Sequence, residues 1–422
     1  MPAARTLADW LNYQQDLHPS SIDLGLERVR AVAERLGLLP LAGRTAIVGG
    51  TNGKGSTATL MAALAQAHGE RVGLFTSPHL LRYQERITID GVEAPDEPLV
   101  AAFERIEAAR GEVSLTYFEF NTLAALALFR DAEVSLTILE VGLGGRLDAT
   151  NLIDADVAVL CSVGFDHRDW LGDTLEAIGA EKAGIFRRGQ PAILGTTEMP
   201  ASVTQALAAL ACQVAAAGRD FSWRVHPDGS WDFQQAGAEL PRLPAPALAG
   251  EIQYRNAATA LAALRALPVC APLQGAKVAA ALSRVRLPGR LQRVAGSVEW
   301  VFDVAHNEPA AAVLAHELRA FGARGRTLAV FGMLADKDVA AVAAQLDPLV
   351  DHWLLCTPQG PRALESERLS ERMGTTHGEV EICGEVESAC DLATQRARPG
   401  DRVLVCGSFH TVGPALRWRG LY

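Results

Sequence analysis

The chain has 422 residues, 49% hydrophobic and 21% charged, enough for two or three packed domains, of which two is the simpler expectation. Asp and Glu number 49 against 39 Lys and Arg, and the resulting formal charge of -10 argues against a nucleic-acid or acidic-membrane partner held by electrostatics. The seven cysteines are scattered without a CxxC pair, and no stretch reaches the ~18 apolar residues of a membrane span. With no basic segment leading into an apolar run at the N-terminus, the expectation is a cytoplasmic protein in a reducing compartment.

Apolar runs at 45–48, 72–75, 136–141 and 157–162 each precede a segment with helical spacing, the alternation of a parallel α/β sheet. Directly after them come GTNGKGST, TSPHL, GLGGRLDATN and GFDHRDWLG. In an open α/β sheet ligands bind at the carboxyl ends of the strands, so the four segments converge on one edge. The alanine-rich stretch 201–217 reads as a helix, because alanine is the best helix former, and 221–246 as a small β excursion. A second α/β series follows the basic stretch RVRLPGRLQRV, with strands expected at 298–303, 328–331, 353–356 and 402–406. The expected fold is therefore a phosphate-loop domain with a mostly parallel sheet over 1–292 and a smaller Rossmann-like α/β domain over 293–422.

Thr51, Asn52, Gly53, Lys54, Gly55 and Ser56 lie between an apolar strand and an apolar helix, the context a phosphate loop requires. Glycines let backbone N–H groups approach phosphate oxygens, the helix N-terminus adds partial positive charge, and Lys54 reaches the terminal phosphates. Gly55 stands where a serine or threonine usually binds magnesium, so the hydroxyl must come from Ser56 or elsewhere. Ser77 in TSPHL is one donor, and its alternative is a helix N-cap ahead of a proline. Glu140 ends an apolar strand, where a buried carboxylate calls for a cation. His167 follows the next strand; a histidine among oxygen ligands fits a magnesium site that also accepts manganese. Lys182, on a helix expected to pack against the sheet through Leu175 and Ile178, would ordinarily pair with Glu181 or reach for solvent.

These motifs, with IDLGLERV, RITIDG, TYFEFNTLAALALF, RNAATAL, LPGRLQR, DVAHN and GSFHTVG, run almost end to end and resemble the folylpolyglutamate synthase and dihydrofolate synthase family of the Mur-ligase superfamily. The resemblance implies that residues 51–56 hold ATP phosphates, with Asn256, Arg290 and Asp303 completing the nucleotide site. It implies Mg2+ at Ser77, Glu140 and His167, and a carbamylated Lys182 for a second ion. For the pterin it points to Ile22, Asp23 and Leu24, to Thr116, Tyr117, Phe118 and Glu119, and to Leu147, Asp148 and Ala149. One departure is Glu308, which stands between Asn307 and Pro309 where the family has proline directly.

The implied chemistry is transfer of the ATP γ-phosphoryl group to the carboxylate of dihydropteroate or a reduced folate, followed by attack of the L-glutamate amine on the acyl phosphate. Lys54, Lys182 and, from the second domain, His306 are the expected catalytic groups, assembled by domain closure in a monomer. A cell-wall precursor as acceptor would use the same ATP machinery, but TSPHL, TYFEF and IDLGLERV speak against it. A nucleotide switch without ligase activity would have no use for the motifs beyond the phosphate loop.

Overall fold

The computed structural model describes residues 5–20, 22–270, 272–322, 325–360 and 362–422, and three sheets organise them. The largest contains Arg44–Gly49 (β1), Val72–Phe75 (β2), Ile87–Ile89 (β3), Val92–Glu93 (β4), Leu136–Glu140 (β5), Val157–Leu160 (β6), Pro191–Leu194 (β7) and Gln213–Ala216 (β8). Their spatial order is β4-β3-β2-β5-β1-β6-β7-β8, parallel from β2 to β8 with an antiparallel edge at β3 and β4. In β1, Ile47 enters one core with Leu139 and Leu160, while Ala46 and Val48 enter the other with Leu60 and Leu261. Both faces of the strand are apolar because helices cover both sides of the sheet.

The expected β excursion is a three-stranded antiparallel sheet of Phe221–Val225 (β9), Trp231–Gln235 (β10) and Ala238–Leu243 (β11). Its fully buried Trp231 packs edge-on against Tyr254 of the helix Ile252–Arg265, with ring centroids 5.9 Å apart. The third sheet holds Gln292–Val294 (β12), Glu299–Asp303 (β13), Thr327–Phe331 (β14), His352–Thr357 (β15), Glu379–Glu385 (β16) and Arg402–Cys406 (β17). Its order is β12-β13-β17-β14-β15-β16, and only β12 runs antiparallel to its neighbour. It too separates two apolar cores, one around Trp353 and Phe331 and the other around Trp300 and Val405.

Two local expectations are corrected. The stretch 201–217 is a helix only over Ala201–Ala209; the chain turns through Ala211 at φ +49° and returns as β8, pairing with β7. Alanine propensity is overridden there by a vacant sheet edge that offers a full ladder of backbone hydrogen bonds. In the helix Leu175–Ala183, Ile178 is buried but Leu175 is 40% exposed, so the face toward the sheet starts one turn later than the spacing suggests. Among the described residues no helix is long and apolar enough to cross a membrane.

Candidate functional site

β1 ends at Gly49, and the chain turns through Gly50 (φ +144°) into the helix Lys54–Ala67, whose N-cap Gly53 has φ +86°. A Cβ on Gly50 would meet Cys161 Cβ and Ser162 N at 3.1 Å, and one on Gly53 would meet Asn256 Oδ1 at 3.1 Å, so both positions need glycine. No side chain caps the helix, which leaves its first N–H groups for an anion. The loop is braced from β6: Thr51 N–H donates to Ser162 O at 2.9 Å and Asn52 N–H to Ser162 Oγ at 3.0 Å. Lys54 Nζ folds back onto Thr51 O at 3.2 Å, and Ser56 is buried.

Glu140, the last residue of β5, is 4% exposed and accepts the backbone N–H of Ser77 on Oε2 at 3.0 Å. Burial raises its carboxyl above the usual range, while Lys54, the Ser77 N–H, Arg290 and Arg86 pull it down. A buried carboxylate among cationic groups, with a serine hydroxyl adjacent, fits a divalent cation. No helix begins at Ser77, and the next helical turn is Tyr83–Arg86, so the N-cap alternative falls. His167 takes a left-handed conformation (φ +51°), and burial lowers its pKa to about 3; the neutral imidazole is the form that ligates metals.

Lys182 does not pair with Glu181, which is held by Arg146 at 2.7 Å. It is turned inward, 5% exposed, and donates to Gly50 O at 3.2 Å. Burial, then the charge of Lys54, lowers its pKa to about 7, so a large share of the amine is neutral near pH 7, the form that adds carbon dioxide. Among the described residues no three His, Cys, Asp or Glu side chains cluster as a cage. A donor set of one carboxylate, one hydroxyl and one imidazole leaves positions for water and phosphate oxygens, as Mg2+ prefers.

The second domain meets this edge with the carboxyl ends of its own strands. Asp303 ends β13 and accepts the N–H groups of Leu291 and Ala305, both at 2.8 Å, while the half-buried Arg290 beside it lies 5.0 Å from the Phe409 ring centroid. Asn307 caps the helix Glu308–Ala320 by accepting Ala310 N–H at 3.0 Å, with Pro309 in the first turn, so Glu308 leaves the helix start intact. The Asn307 amide joins the two domains, accepting from Asn52 at 2.9 Å and donating to Asp166 at 3.0 Å. His306 has Nδ1 2.8 Å from Val304 O and Nε2 3.7 Å from Asp166 Oδ2, and burial lowers its pKa to about 4.

Lys337, which the sequence reading missed, is 6% exposed and donates to Asp166 Oδ1 at 2.7 Å, with His167 Nε2 3.3 Å away. Burial would raise the Asp166 carboxyl, but its neighbours His167, Lys337 and His306, of which Lys337 is the standing cation at 2.7 Å, outweigh it and hold the group well below the usual range. The signal for Lys337 was its place in GMLADKD, directly after β14: the carboxyl-edge rule applied to the second sheet would have found it.

A cavity of ≈ 270 Å³ opens where the two edges meet. Ile22, Asp23 and Leu24, Thr116, Tyr117, Phe118 and Glu119, and Leu147, Asp148 and Ala149 all line it, together with Ser77, Arg86, His167, His306, Lys337 and Ser408–His410. Thr116 and Glu119 form a capping box that starts the helix Tyr117–Asp131, with bonds of 2.8 and 3.2 Å. Phe118 packs 5.7 Å from Phe75 and fills the space that a Cβ on Gly142 would need, 2.6 Å from its Cζ. Asp148 has both oxygens engaged, by Leu143 N–H at 2.8 Å and by the N–H and hydroxyl of Thr150 at 3.0 and 2.6 Å, so its side chain shapes the loop. Arg28 holds Asp23 at 2.8 Å and lies 3.3 Å from Glu119, tying the first wall segment to the second.

Comparison with known proteins agrees with this architecture. The Mur ligase middle-domain family matches residues 48–264, and the Mur ligase glutamate ligase domain matches residues 289–409. The chain is 47% identical to the dihydrofolate synthase/folylpolyglutamate synthase of Escherichia coli K12, covering 97% of this chain and 94% of the relative. It is 40% identical to the Haemophilus influenzae protein of the same name, covering 98% and 97%. Escherichia coli FolC in complex with DHPP and ADP superposes with a TM-score of 0.93 at 45% identity, covering 99% of this chain and 98% of that one. A bifunctional folylpolyglutamate synthase/dihydrofolate synthase with Mn, AMPPNP and L-glutamate bound gives 0.90 at 43% identity, covering 99% of each chain. The chain belongs to the dihydrofolate synthase/folylpolyglutamate synthase family of Mur ligases.

Proposed function

We propose that this protein ligates L-glutamate to dihydropteroate, forming dihydrofolate, and to reduced folates, forming polyglutamates, at the expense of ATP. The observation that carries the reading is the single cavity in which the expected pterin wall, Ser77 and His167, and the edge of the second domain adjoin. In this reading residues 1–292 bind ATP and pterin and residues 293–422 supply the glutamate-ligase half.

The free N–H groups at the start of helix Lys54–Ala67, with Lys54, hold the β- and γ-phosphates, while Asn256, Arg290 and Asp303 flank the nucleotide. Ser77 and Glu140 would hold one Mg2+, or Mn2+, and His167 with carbamylated Lys182 a second. When bound, the ions supply the positive charge that neutralises the phosphoryl oxygens. A carboxylate oxygen of the acceptor attacks the γ-phosphorus, ADP leaves, and the acyl phosphate carries a leaving group that a carboxylate lacks. The glutamate amine then attacks the acyl carbon and phosphate departs. His306 Nε2, unprotonated at neutral pH with its ring fixed through Nδ1, takes the amine proton, and Asp166 stabilises the resulting charge.

Because Asn52 meets Asn307 and Asp166 meets Lys337 across the two halves of one chain, closure assembles the site within a single chain, which favours a monomer. The test is phosphate release from ATP by the purified protein with glutamate and Mg2+, comparing dihydropteroate, tetrahydrofolate and no acceptor. Release with both acceptors is the expected result; release with tetrahydrofolate alone removes the synthase step, and release with neither sinks the folate reading.

A further inference from the structure

Arg86 brings a charge into the protein interior without a counter-ion. It ends the helical turn Tyr83–Arg86 just before β3 and is 8% exposed. Its Nε–H donates to His79 Nδ1 at 2.7 Å, so that ring nitrogen acts as the acceptor. The Tyr117 ring lies 5.6 Å from the guanidinium carbon. Of the five N–H donors of the guanidinium, the four on its terminal nitrogens meet no acceptor among the described residues. Two other cations with little exposure are matched by carboxylates: Lys337 by Asp166 at 2.7 Å, and Arg402 by Glu299 at 2.8 Å. The guanidinium faces the cavity with no carboxylate paired to it among the described residues, and a ligand that supplies an anion gains a charge-assisted pair there.

The location specifies the anion. Arg86 forms part of the wall of the ≈ 270 Å³ cavity, which Ser77, Pro78 and Tyr117 also line. Arg86 thus shares its stretch of wall with Ser77, the serine whose backbone N–H bonds the buried Glu140 at 3.0 Å. Two terminal nitrogens held in one plane match the two oxygens of a carboxylate side by side.

Resting on the function proposed above, we propose that Arg86 anchors the carboxylate of the acceptor that is to be phosphorylated. His79 fixes one edge of the guanidinium and turns the other to the cavity. Dihydropteroate reacts through its benzoate carboxylate, and that is the group the anchor reads. The anchor binds substrate directly and needs no help from the pterin wall to recognise the reacting end.

Calorimetric titration of dihydropteroate, and of its analogue with hydrogen in place of the carboxylate, into wild type, Arg86→Gln and Arg86→Lys tests this. Wild type is expected to prefer dihydropteroate by about tenfold to a hundredfold, the range of a charge-assisted hydrogen-bonded pair. Arg86→Gln is expected to bind both ligands alike, with affinity for the analogue and for ADP unchanged, and Arg86→Lys to regain part of the preference. A preference that survives in Arg86→Gln overturns the anchor, and so does an equal loss of both ligands, which marks a structural role. Wild type that binds neither ligand sinks the folate reading and the anchor with it, whereas wild type that binds both while Arg86→Gln keeps the preference sinks the anchor alone.

Discussion

In the phosphate loop at the carboxyl edge of the eight-stranded sheet the ligand-facing groups are largely backbone: Gly50 and Gly53 bend the chain, and the uncapped start of helix Lys54–Ala67 presents N–H groups. At the edge of the six-stranded sheet they are side chains, His306 and Asn307 after β13, Lys337 after β14, and Ser408 to His410 after β17. The loop is braced within its own domain by Ser162. The second edge acts only by reaching across, to Asn52 and Asp166. A phosphate needs many donors at fixed spacing, which backbone supplies; closing a cleft needs a few charged contacts that can be made and broken.

Substitutions on the two edges should therefore fail differently. Lys54→Ala removes the cation of the phosphate loop and is expected to lower kcat for ADP formation by about 10³-fold with the fold intact, read by coupled assay and thermal unfolding. Lys337→Ala strands the buried Asp166 carboxylate and is expected to cost about 3 kcal/mol of stability, with a more open solution scattering profile. Equal stability losses for the two variants would erase the distinction between a self-contained edge and a reaching one.

The smallest effect is a pH slope. The His306 pKa of about 4 lies below the 6.5 of an unfolded histidine, so between those values the unfolded chain binds the proton that the native state refuses. Stability then falls as pH is lowered through this window. His306→Asn is expected to flatten the fall by up to about 1.4 kcal/mol per pH unit in urea titrations from pH 7 to pH 4. An unchanged slope would place the imidazole in a solvated position instead of beside Asp166.

Elements with strong local signatures were legible in advance. The strands expected at 72–75 and 402–406 stand at those residues, because apolar runs flanked by glycine have one way to be buried on both faces. The phosphate loop was legible because only glycine fits its φ angles, and all ten residues implied for the pterin wall line one cavity. What failed locally was 201–217, where alanine propensity favoured helix and the edge of β7 took four residues as strand.

By itself the sequence determined the alternation of strand and helix around the four motif-bearing strands, the glycine positions of the phosphate loop and the family, since each depends on residues close together in the chain. Tertiary structure alone decided that Lys182 turns inward to Gly50, that Lys337 meets Asp166 across 171 positions, and that Arg86 faces the cavity unpaired. The reason is physical: desolvation and charge pairing depend on which groups come within a few ångströms, and spacing along the chain carries no record of contacts between separate domains.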